Sequence, residues 1–382
     1  MVKKLFKYLK GDISIWILVL TLSLISMMVV YSSTGSLAYK NAGGNTFYFL
    51  FRHSMMLLVG IVIIFITHRV PYKYFSRISQ ILLYISIPLL LITLLIGVKE
   101  NDAIRRIEIF GFTFQTSDMA KLALTMYLAR ILSQAQENKE KLKKIFKKAI
   151  IAIAIVCILV IPANFSTAGL IFITSVVLLY IGRIPFKYLL GILIILVLVI
   201  GASYYIGTVK PDLWRFGTVK SRIDAFLGTG GSKEELYQTK QAKIAVVTGG
   251  LFGKGPGHST QRNYLPHSYS DFIYAIIVEE YGIPGSFIVL LLYLILVYRA
   301  GVIIRKCPTF FGGFLAVGLS LSLVFQAFIN MAVSVSIFPV TGQPLPYISM
   351  GGTSILFTSI ALGCILSVSK VTQNSENNGE LA

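Results

Sequence analysis

Ten long apolar runs, separated by shorter polar stretches, dominate this sequence. They begin near Ser14, Tyr48, Ile78, Asp118, Ala149, Thr167, Tyr188, Ile283, Phe311 and Thr353. A helix that crosses the hydrocarbon core of a bilayer needs roughly 20 predominantly apolar residues. The runs at 149–162 and 167–182 are shorter, so nine or eleven crossings remain alternatives to about ten. The pattern predicts an all-α, polytopic integral membrane protein.

Composition supports a membrane domain. Residues of the AVILMFWYC set make up 55% of the chain and charged residues only 13%, whereas a soluble domain carries about 25% charged residues. We expect one membrane domain at 14–370, a cytoplasmic N-terminal tail at 1–13 and a disordered cytoplasmic tail at 371–382. The first run is long enough to span and lacks an A-x-A-like cleavage site, which favours an uncleaved helix over a signal peptide.

Lysine and arginine are concentrated in alternate short loops, which predicts the orientation of the chain. If the N-terminus is cytoplasmic, that side carries Lys3, Lys4, Lys7, Lys10, Arg69, Lys73, Arg77, Lys139, Lys141, Lys143, Lys144, Lys147, Lys148, Arg183, Lys187, Arg299, Arg305, Lys306 and Lys370. The short loops of the opposite side hold chiefly Lys40, Lys99, Arg105 and Arg106. The positive-inside rule therefore predicts cytoplasmic N- and C-termini.

The net charge of +19 is mostly this bias, and it gives no reason to expect a nucleic-acid partner. A large outer loop at 208–270 is basic as well, with Lys210, Arg215, Lys220, Arg222, Lys233, Lys240, Lys243, Lys254 and Arg262. Such a loop favours an anionic lipid or phosphate-bearing ligand, or simple attraction to anionic headgroups. Charge alone leaves both open. Cysteines and histidines are too few and scattered for a disulfide framework or a zinc site.

Three outer segments are expected to be structured: 101–117, the large loop 208–270, and 338–352. The prolines and glycines of the third segment forbid a continuous helix, so it forms either a tight extracellular turn or the wall of a cavity. Residues 271–298 are too long for one crossing, at about 42 Å as a helix, and Gly282-Ile-Pro-Gly285 interrupts them. A half-helix at 271–280 is predicted before the spanning helix, with Glu279 and Glu280 near the outer interface.

Ionisable groups in or beside membrane helices are costly, which makes them candidates for function. They are Arg52, Asp118, Lys121, Asp271, Glu279 and Glu280. Asp118 and Lys121 share a helix face, so a mutual surface ion pair competes with a role in binding. Asp271 follows Ser270 at a predicted helix start, where helix capping competes with catalysis.

A glycine cluster at 249–257 invites comparison with a nucleotide-binding loop. No Ser or Thr follows Lys254 and no strand precedes the cluster, so it does not match the P-loop pattern. Backbone amides exposed by these glycines could instead cradle a pyrophosphate.

Three segments together resemble the SEDS family of shape, elongation, division and sporulation proteins. They are FTFQTSDMAKLAL, GGLFGKGPGHSTQRNYLPHSYSDFIYAIIVEEYGIPG and FPVTGQPLPYISMGGTS, in the family's order and at the expected topological places. The resemblance covers essentially the whole chain. The Gly-x-Ser that ends at Ser259 and the run from Pro339 to Pro346 look closer to the division branch (FtsW-like) than to the elongation branch (RodA-like).

The resemblance implies a peptidoglycan glycosyltransferase that polymerises lipid II at the outer face of the bacterial cytoplasmic membrane, in septal synthesis. The family's essential carboxylate falls on Asp271, its charged pair on Asp118 and Lys121, and its outer arginine on Arg105. The mechanism that fits uses Asp271 on the attacking hydroxyl and cations on the pyrophosphate. The candidate substrate-binding residues are Lys121, Asp118, Arg105, Gln115, Arg222, Ser259, Glu279 and Ser349.

Two positions depart from the family pattern: Arg106 stands in place of a Trp, and Asn164 stands in a stretch that carries a carboxylate in many members. Asn164 is therefore given no catalytic role. No metal ligand set is predicted, although a divalent cation (Mg or Mn) held by Asp271 and the phosphates remains an alternative.

The resemblance also implies a class B penicillin-binding protein as partner, because the chain has no candidate transpeptidase domain with a Ser-x-x-Lys nucleophile. Other division-complex membrane proteins are expected as well. A lipid II flippase and a non-catalytic scaffold that activates a transpeptidase are the competing functional classes.

Overall fold

The computed structural model describes residues 10–41, 43–100, 103–109, 112–137, 142–211 and 216–377. Over these ranges the chain is mainly helical. The helices are α1 (Ile13–Ser33), α2 (Gly35–Asn41), α3 (Thr46–Thr67), α4 (Lys73–Ile96), α5 (Thr116–Glu137), α6 (Leu142–Val160), α7 (Phe165–Ile181), α8 (Phe186–Val209), α9 (Phe216–Leu227), α10 (Lys233–Gly249), α11 (Ile273–Lys306), α12 (Phe310–Ser334) and α13 (Thr353–Asn377).

The fold is that of a multi-pass membrane protein. Seven helices of the described chain are long and apolar enough to cross a membrane, namely α1, α3, α4, α8, α11, α12 and α13. Helix α7 is apolar but shorter, and α5 and α6 follow the two remaining predicted runs. The helices therefore match the ten runs one for one, while the number of crossings stays a prediction.

Helix α5 lies in the interior of the bundle. This explains why it is not apolar enough to be among the seven candidate spans. It packs between α4 and α12, and most of its residues are buried, Asp118 and Lys121 among them. A helix enclosed by protein can carry polar side chains that a lipid-facing helix cannot. Helix α8 is at the other extreme, because only 17% of its apolar window is buried.

Several helices begin at side-chain caps that the sequence supplies. Asp12, Asn45, Asn164, Ser232 and Thr309 each accept a hydrogen bond from a backbone N–H in the first turn of the helix that follows. Such a cap satisfies one of the unpaired amides of a helix N-terminus. Asn164 therefore has a structural role at the start of α7.

The all-α expectation needs a correction at the first outer segment. Three antiparallel strands, β1 (Val98–Glu100), β2 (Ala103–Ile109) and β3 (Phe112–Gln115), form a small sheet in the order β1-β2-β3. Arg106 pairs with Gln115, and Ile107 pairs with Phe114. Apolar and polar residues alternate along Arg106-Ile-Glu-Ile109, which is the strand period that a search for long apolar runs overlooks.

The two ends of the described chain meet at one face of the bundle. The Asp12 carboxylate lies 2.5 Å from Nε of Arg299, near the end of α11. The Asp12 backbone N–H donates to Oγ of Ser369 near the end of α13, at 3.0 Å. Both ends therefore lie on the same side, as an even number of crossings requires; that this side is cytoplasmic remains a prediction.

The predicted half-helix is present, and a single glycine divides it from the rest of α11. Gly282 has φ 62° and ψ −156° in the middle of the helix, a conformation that favours glycine. A Cβ at this position would lie 2.4 Å from the Leu251 carbonyl oxygen. The half-helix begins at Ile273, two residues later than predicted.

The glycine cluster packs against this break, and several of its amides are already used. The N–H groups of Lys254 and Gly255 donate to the carbonyls of Glu279 and Glu280, both at 2.9 Å, and Ile283 N–H donates to Leu251 O at 3.1 Å. These bonds satisfy backbone groups that the interrupted helix leaves unpaired. The amides of Lys254 and Gly255 are therefore not free to cradle a pyrophosphate; for the other amides of the cluster this stays a hypothesis.

The segment between α12 and α13 is inserted among the helices and is not an exposed turn. Leu345, Tyr347 and Ile348 are almost fully buried, and Tyr347 holds a positive φ of 67°. The hydroxyl of Tyr293 donates to Pro346 O at 2.5 Å. Irregular backbone at this position has its polar groups satisfied by protein, so the turn alternative is wrong.

Candidate functional site

Asp271 lies two residues before α11, where the half-helix begins. Its N–H donates to the carbonyl of His267 at 3.1 Å, in a turn where His267 has φ 55°. Phe272 is the N-cap residue, and the cap makes no side-chain hydrogen bond. The capping interpretation of Asp271 is therefore wrong.

The Asp271 carboxylate has no hydrogen-bond partner in the described part of the chain. Among the residues that the structure describes, none donates a hydrogen bond to it or forms an ion pair with it. The side chain is half-buried, whereas residues 272–280 behind it are buried. One carboxylate oxygen lies against Gly342, where an added Cβ would be 3.5 Å away. A half-buried carboxylate without partners is available to a hydroxyl or to a cation.

Three hydrogen bonds hold the backbone at Asp271 in place, and their acceptors are three consecutive carbonyls. Tyr269 O accepts from Met350 N–H at 3.0 Å, and Ser270 O accepts from the Ser349 hydroxyl at 2.6 Å. Asp271 O accepts from Nδ2 of Asn330 at 2.8 Å. The segment between α12 and α13 therefore fixes the turn from which the carboxylate projects.

Ser349 has a supporting position in this arrangement. It is 2% exposed, and its hydroxyl accepts from Leu345 N–H at 2.8 Å while it donates to Ser270 O. Both hydrogen-bonding functions are used within the protein. The structure thus offers no support for the predicted contact of Ser349 with substrate.

Asp118 and Lys121 form a buried ion pair in the first turns of α5. The Lys121 ammonium lies 3.5 Å from the Asp118 carboxylate, with side chains 10% and 6% exposed. It also lies 2.5 Å from Oε1 of Gln326. A cavity of about 20 Å³ adjoins the pair and is lined also by Ser322, Ser354 and Thr358, which is room for about one water molecule. The pair exists as predicted, but it is buried rather than at the surface.

Gln115 and Arg105 lie on the small sheet that leads into α5. The Gln115 N–H donates to Oγ1 of Thr353 at 3.4 Å, and its side-chain amide donates to Ser117 at 3.1 Å. The sheet thus connects the start of α5 with the start of α13. Arg105 belongs to β2, and its side chain lies outside the described part of the structure.

Arg222 lies apart from these groups, on the outer helix α9. Its Nε is 3.5 Å from the Glu235 carboxylate of α10. The ion pair joins the two helices of the large outer loop. The Glu235 carboxylate therefore offsets part of the positive charge that was predicted to attract a pyrophosphate.

Ser259 and Glu279 are brought together, in a closed network behind the half-helix. Glu279 is fully buried and accepts from the Lys254 ammonium at 2.6 Å, from the Thr260 hydroxyl at 2.9 Å and from the Ser259 hydroxyl. Glu280 is 1% exposed and accepts from the Ser259 N–H at 3.2 Å. These groups anchor the large loop to α11. Both glutamates are enclosed by protein, and their location near the outer interface stays a prediction.

Two amide side chains near the candidate residues were not predicted from the sequence. Gln326 contacts Lys121, and Asn330 contacts the backbone of Asp271. Both belong to the predicted helix α12, but a search for ionisable groups overlooks neutral amides. Their spacing of four residues within an apolar helix was the available signal, because polar side chains inside membrane bundles commonly join helices.

The described residues contain no group of three or more His, Cys, Asp or Glu side chains that could hold a metal ion. Asp271 offers a single carboxylate. Protein ligands alone therefore do not fit a resident divalent cation, which binds several oxygen atoms.

Comparisons with known proteins agree with this fold. The family model of FtsW, RodA and SpoVE, described as cell cycle protein, matches residues 12–374. The chain is 30% identical to a probable peptidoglycan glycosyltransferase FtsW of Coxiella burnetii, over 94% of this chain and 96% of that protein. It is 31% identical to stage V sporulation protein E of Bacillus subtilis, over 95% and 98%.

Solved structures are similar over almost the whole length. A chain in a peptidoglycan synthase complex, described by its structural coordination of polymerization and crosslinking, has a TM-score of 0.75 at 22% identity, covering 95% of this chain and 98% of that chain. The rod shape determining protein RodA of Thermus thermophilus has a TM-score of 0.65 at 20% identity, with 94% and 96% covered.

Proposed function

Because this chain belongs to the FtsW/RodA/SpoVE family of cell cycle proteins, we propose that it is a peptidoglycan glycosyltransferase that polymerises lipid II into glycan strands. Relatives about 30% identical over nearly their whole length carry the name probable peptidoglycan glycosyltransferase FtsW. Those names also favour a septal role in division. The protein then works from the bacterial cytoplasmic membrane, with the reaction at its outer face.

The single observation that carries the proposal is the free carboxylate of Asp271, on a turn that three hydrogen bonds hold in place. In the reaction, a sugar hydroxyl of one lipid-linked substrate attacks the anomeric carbon of another. A new glycosidic C–O bond forms as the C–O bond to the lipid pyrophosphate breaks. The Asp271 carboxylate orients the hydroxyl and takes its proton.

Positive charge is needed where the pyrophosphate leaves. Lys121 is the best-placed described candidate, because it is buried and Gln326 joins it to the segment that lies beside Asp271. Arg105 is a second candidate, from the sheet that leads to α5. Arg222 is a weaker one, because it pairs with Glu235 on α10 and none of its contacts among the described residues joins it to the segment beside Asp271. If a divalent cation took part, Asp271 would be its protein ligand, and the cation would supply further positive charge for the leaving pyrophosphate.

We further propose that the chain works with a single-pass class B penicillin-binding protein. The structural likeness to a chain of a synthase complex that couples polymerization to crosslinking supports this pairing. Other membrane proteins of the division complex are expected in the same assembly.

The test is polymerisation of lipid II by the purified full-length chain, with and without its cognate transpeptidase. Wild type is expected to yield glycan strands and Asp271→Asn none. Asp224→Asn is a matched control, because Asp224 lies on α9 and contacts Tyr204 and Lys220; this variant should polymerise like wild type. If no strands form with wild type and partner together, the flippase or scaffold alternative replaces this proposal.

A further inference from the structure

A row of buried polar side chains follows one face of α12. Ser322, Gln326, Asn330 and Ser334 recur every four residues, and none is more than 4% exposed. Residues four apart lie on the same helix face. The two central members are amides, and the proposed mechanism uses neither of them.

Each amide joins a candidate reactive group to the same short segment. Gln326 accepts from the Lys121 ammonium at 2.5 Å and donates to Pro344 O at 2.9 Å. Asn330 donates to Asp271 O at 2.8 Å and to Gln343 O at 2.7 Å. The carbonyls of residues 343 and 344 are consecutive, so Lys121 and Asp271 are tied to neighbouring atoms of one segment.

That segment is itself fixed on its other sides. Nε2 of Gln343 donates to Oγ1 of Thr167 on α7 at 2.7 Å. Gly342, with φ 65°, brings its backbone against the Asp271 carboxylate. A displacement of residues 342–344 would therefore change both the position of the carboxylate and the space beside it.

We propose that Gln326 and Asn330 are positioning residues of glycosyl transfer, which set the Lys121 ammonium and the Asp271 carboxylate at a fixed separation. Neither amide touches substrate; both act through the segment that they hold. The inference rests on the proposed function, in which Asp271 acts on the hydroxyl while positive charge stabilises the departing pyrophosphate. Both groups must be in place in the same transition state, and a misplacement of 1 Å can cost about 100-fold in rate.

The alternative is a purely structural role, in which the amides only join helices, as polar side chains in membrane bundles commonly do. Steady-state kinetics separates the two. In Asn330→Leu and Gln326→Met, which keep the size of the side chain and remove its hydrogen bonds, we expect kcat for lipid II polymerisation to fall about tenfold or more. KM should change less than about twofold, because the amides do not bind substrate.

Two further variants sharpen the result. Gln326→Glu keeps an acceptor for Lys121 but has no N–H to donate to Pro344 O, so it should lose about as much activity as Gln326→Met. Wild-type activity of this variant would show that the bond to the segment is not needed. The double variant of Asn330→Leu with Gln326→Met should lose less than the product of the two single losses, because both amides act on one segment. Thr174→Ala is the control: its buried hydroxyl bonds only to Leu170 O of its own helix, and kcat should stay within about twofold of wild type.

Melting temperature and monodispersity in detergent are measured for every variant, so that kcat is expressed per folded molecule. Wild-type kcat in folded Asn330→Leu and Gln326→Met, or equal losses that only follow the folded fraction, would overturn the positioning role and leave the proposed function intact. A wild-type protein that makes no strands with its partner would instead overturn the proposed function, and this inference with it.

Discussion

The carboxylates of α11 and of the turn before it have opposite hydrogen-bonding environments. Asp271 is half-buried, and no donor among the described residues reaches its carboxylate. Eight residues further on, Glu279 is fully buried, and donors of the large loop reach both of its carboxylate oxygens. A charge that the protein satisfies completely stabilises the fold, whereas a charge held in place and left without partners is available for chemistry.

After the complete loss expected for Asp271→Asn, the largest effect comes from moving the free carboxylate without removing it. Asp271→Glu adds one methylene where the carboxylate already lies against Gly342. We expect a loss of about 100-fold in kcat, because the reactive oxygen is displaced by roughly 1 Å. The melting temperature should not change. Full activity of this variant in the lipid II assay would mean that the position of the carboxylate is not critical.

The second effect concerns the break between the half-helix and the spanning helix. Gly282→Ala places a Cβ against Leu251 O in a backbone conformation unfavourable for alanine, and we expect the unfolding free energy in mixed micelles to fall by about 2 kcal/mol. Gly301→Ala in the same helix has open space around it and should be neutral or slightly stabilising. Equal stability of the two variants would contradict the structural account of the break.

A smaller effect is expected from the saturated carboxylate. Glu279→Gln keeps the shape and weakens the hydrogen bonds from Lys254, Ser259 and Thr260, so the unfolding free energy should fall by about 1.5 kcal/mol. The folded fraction should polymerise lipid II at the wild-type rate. A variant of wild-type stability that has lost activity would move Glu279 to the reactive part of the molecule.

The smallest effect is expected at Ser349. Ser349→Ala removes one hydrogen bond to the turn of Asp271 and leaves two others, so about 1 kcal/mol of unfolding free energy should be lost. Activity should fall only a few-fold, because Asn330 and Met350 still hold the turn. A loss of activity as large as that of Asp271→Asn would instead indicate direct contact of Ser349 with substrate.

The membrane helices could be predicted because the signal for them is local. The run at Ser14 begins one residue after α1 starts, and the run at Thr353 begins where α13 does. The prediction was late by seven residues at α6, because lysines occupy its first turns and hide the helix from a search for apolar runs. The sheet at β1–β3 was overlooked because its strands are short and its alternation is that of a strand.

The candidate site was only partly predictable, since its decisive contacts join distant residues. Asp271 and Lys121 could be singled out as costly charges, but their surroundings could not. Asn330 is 59 residues from Asp271 in sequence, and Gln326 is 205 residues from Lys121. The roles of Ser259, Glu279 and Ser349 also depend on tertiary packing, which converts polar residues of a motif into buried anchors.

The most direct test of the central contrast is a paired measurement on Asp271→Asn and Glu279→Gln, with lipid II polymerisation and melting temperature recorded for each. Asp271→Asn is expected to melt like wild type and make no glycan strands, whereas Glu279→Gln should melt at a lower temperature and still make them. If Asp271→Asn made strands at the wild-type rate, the free carboxylate would not be the reactive group.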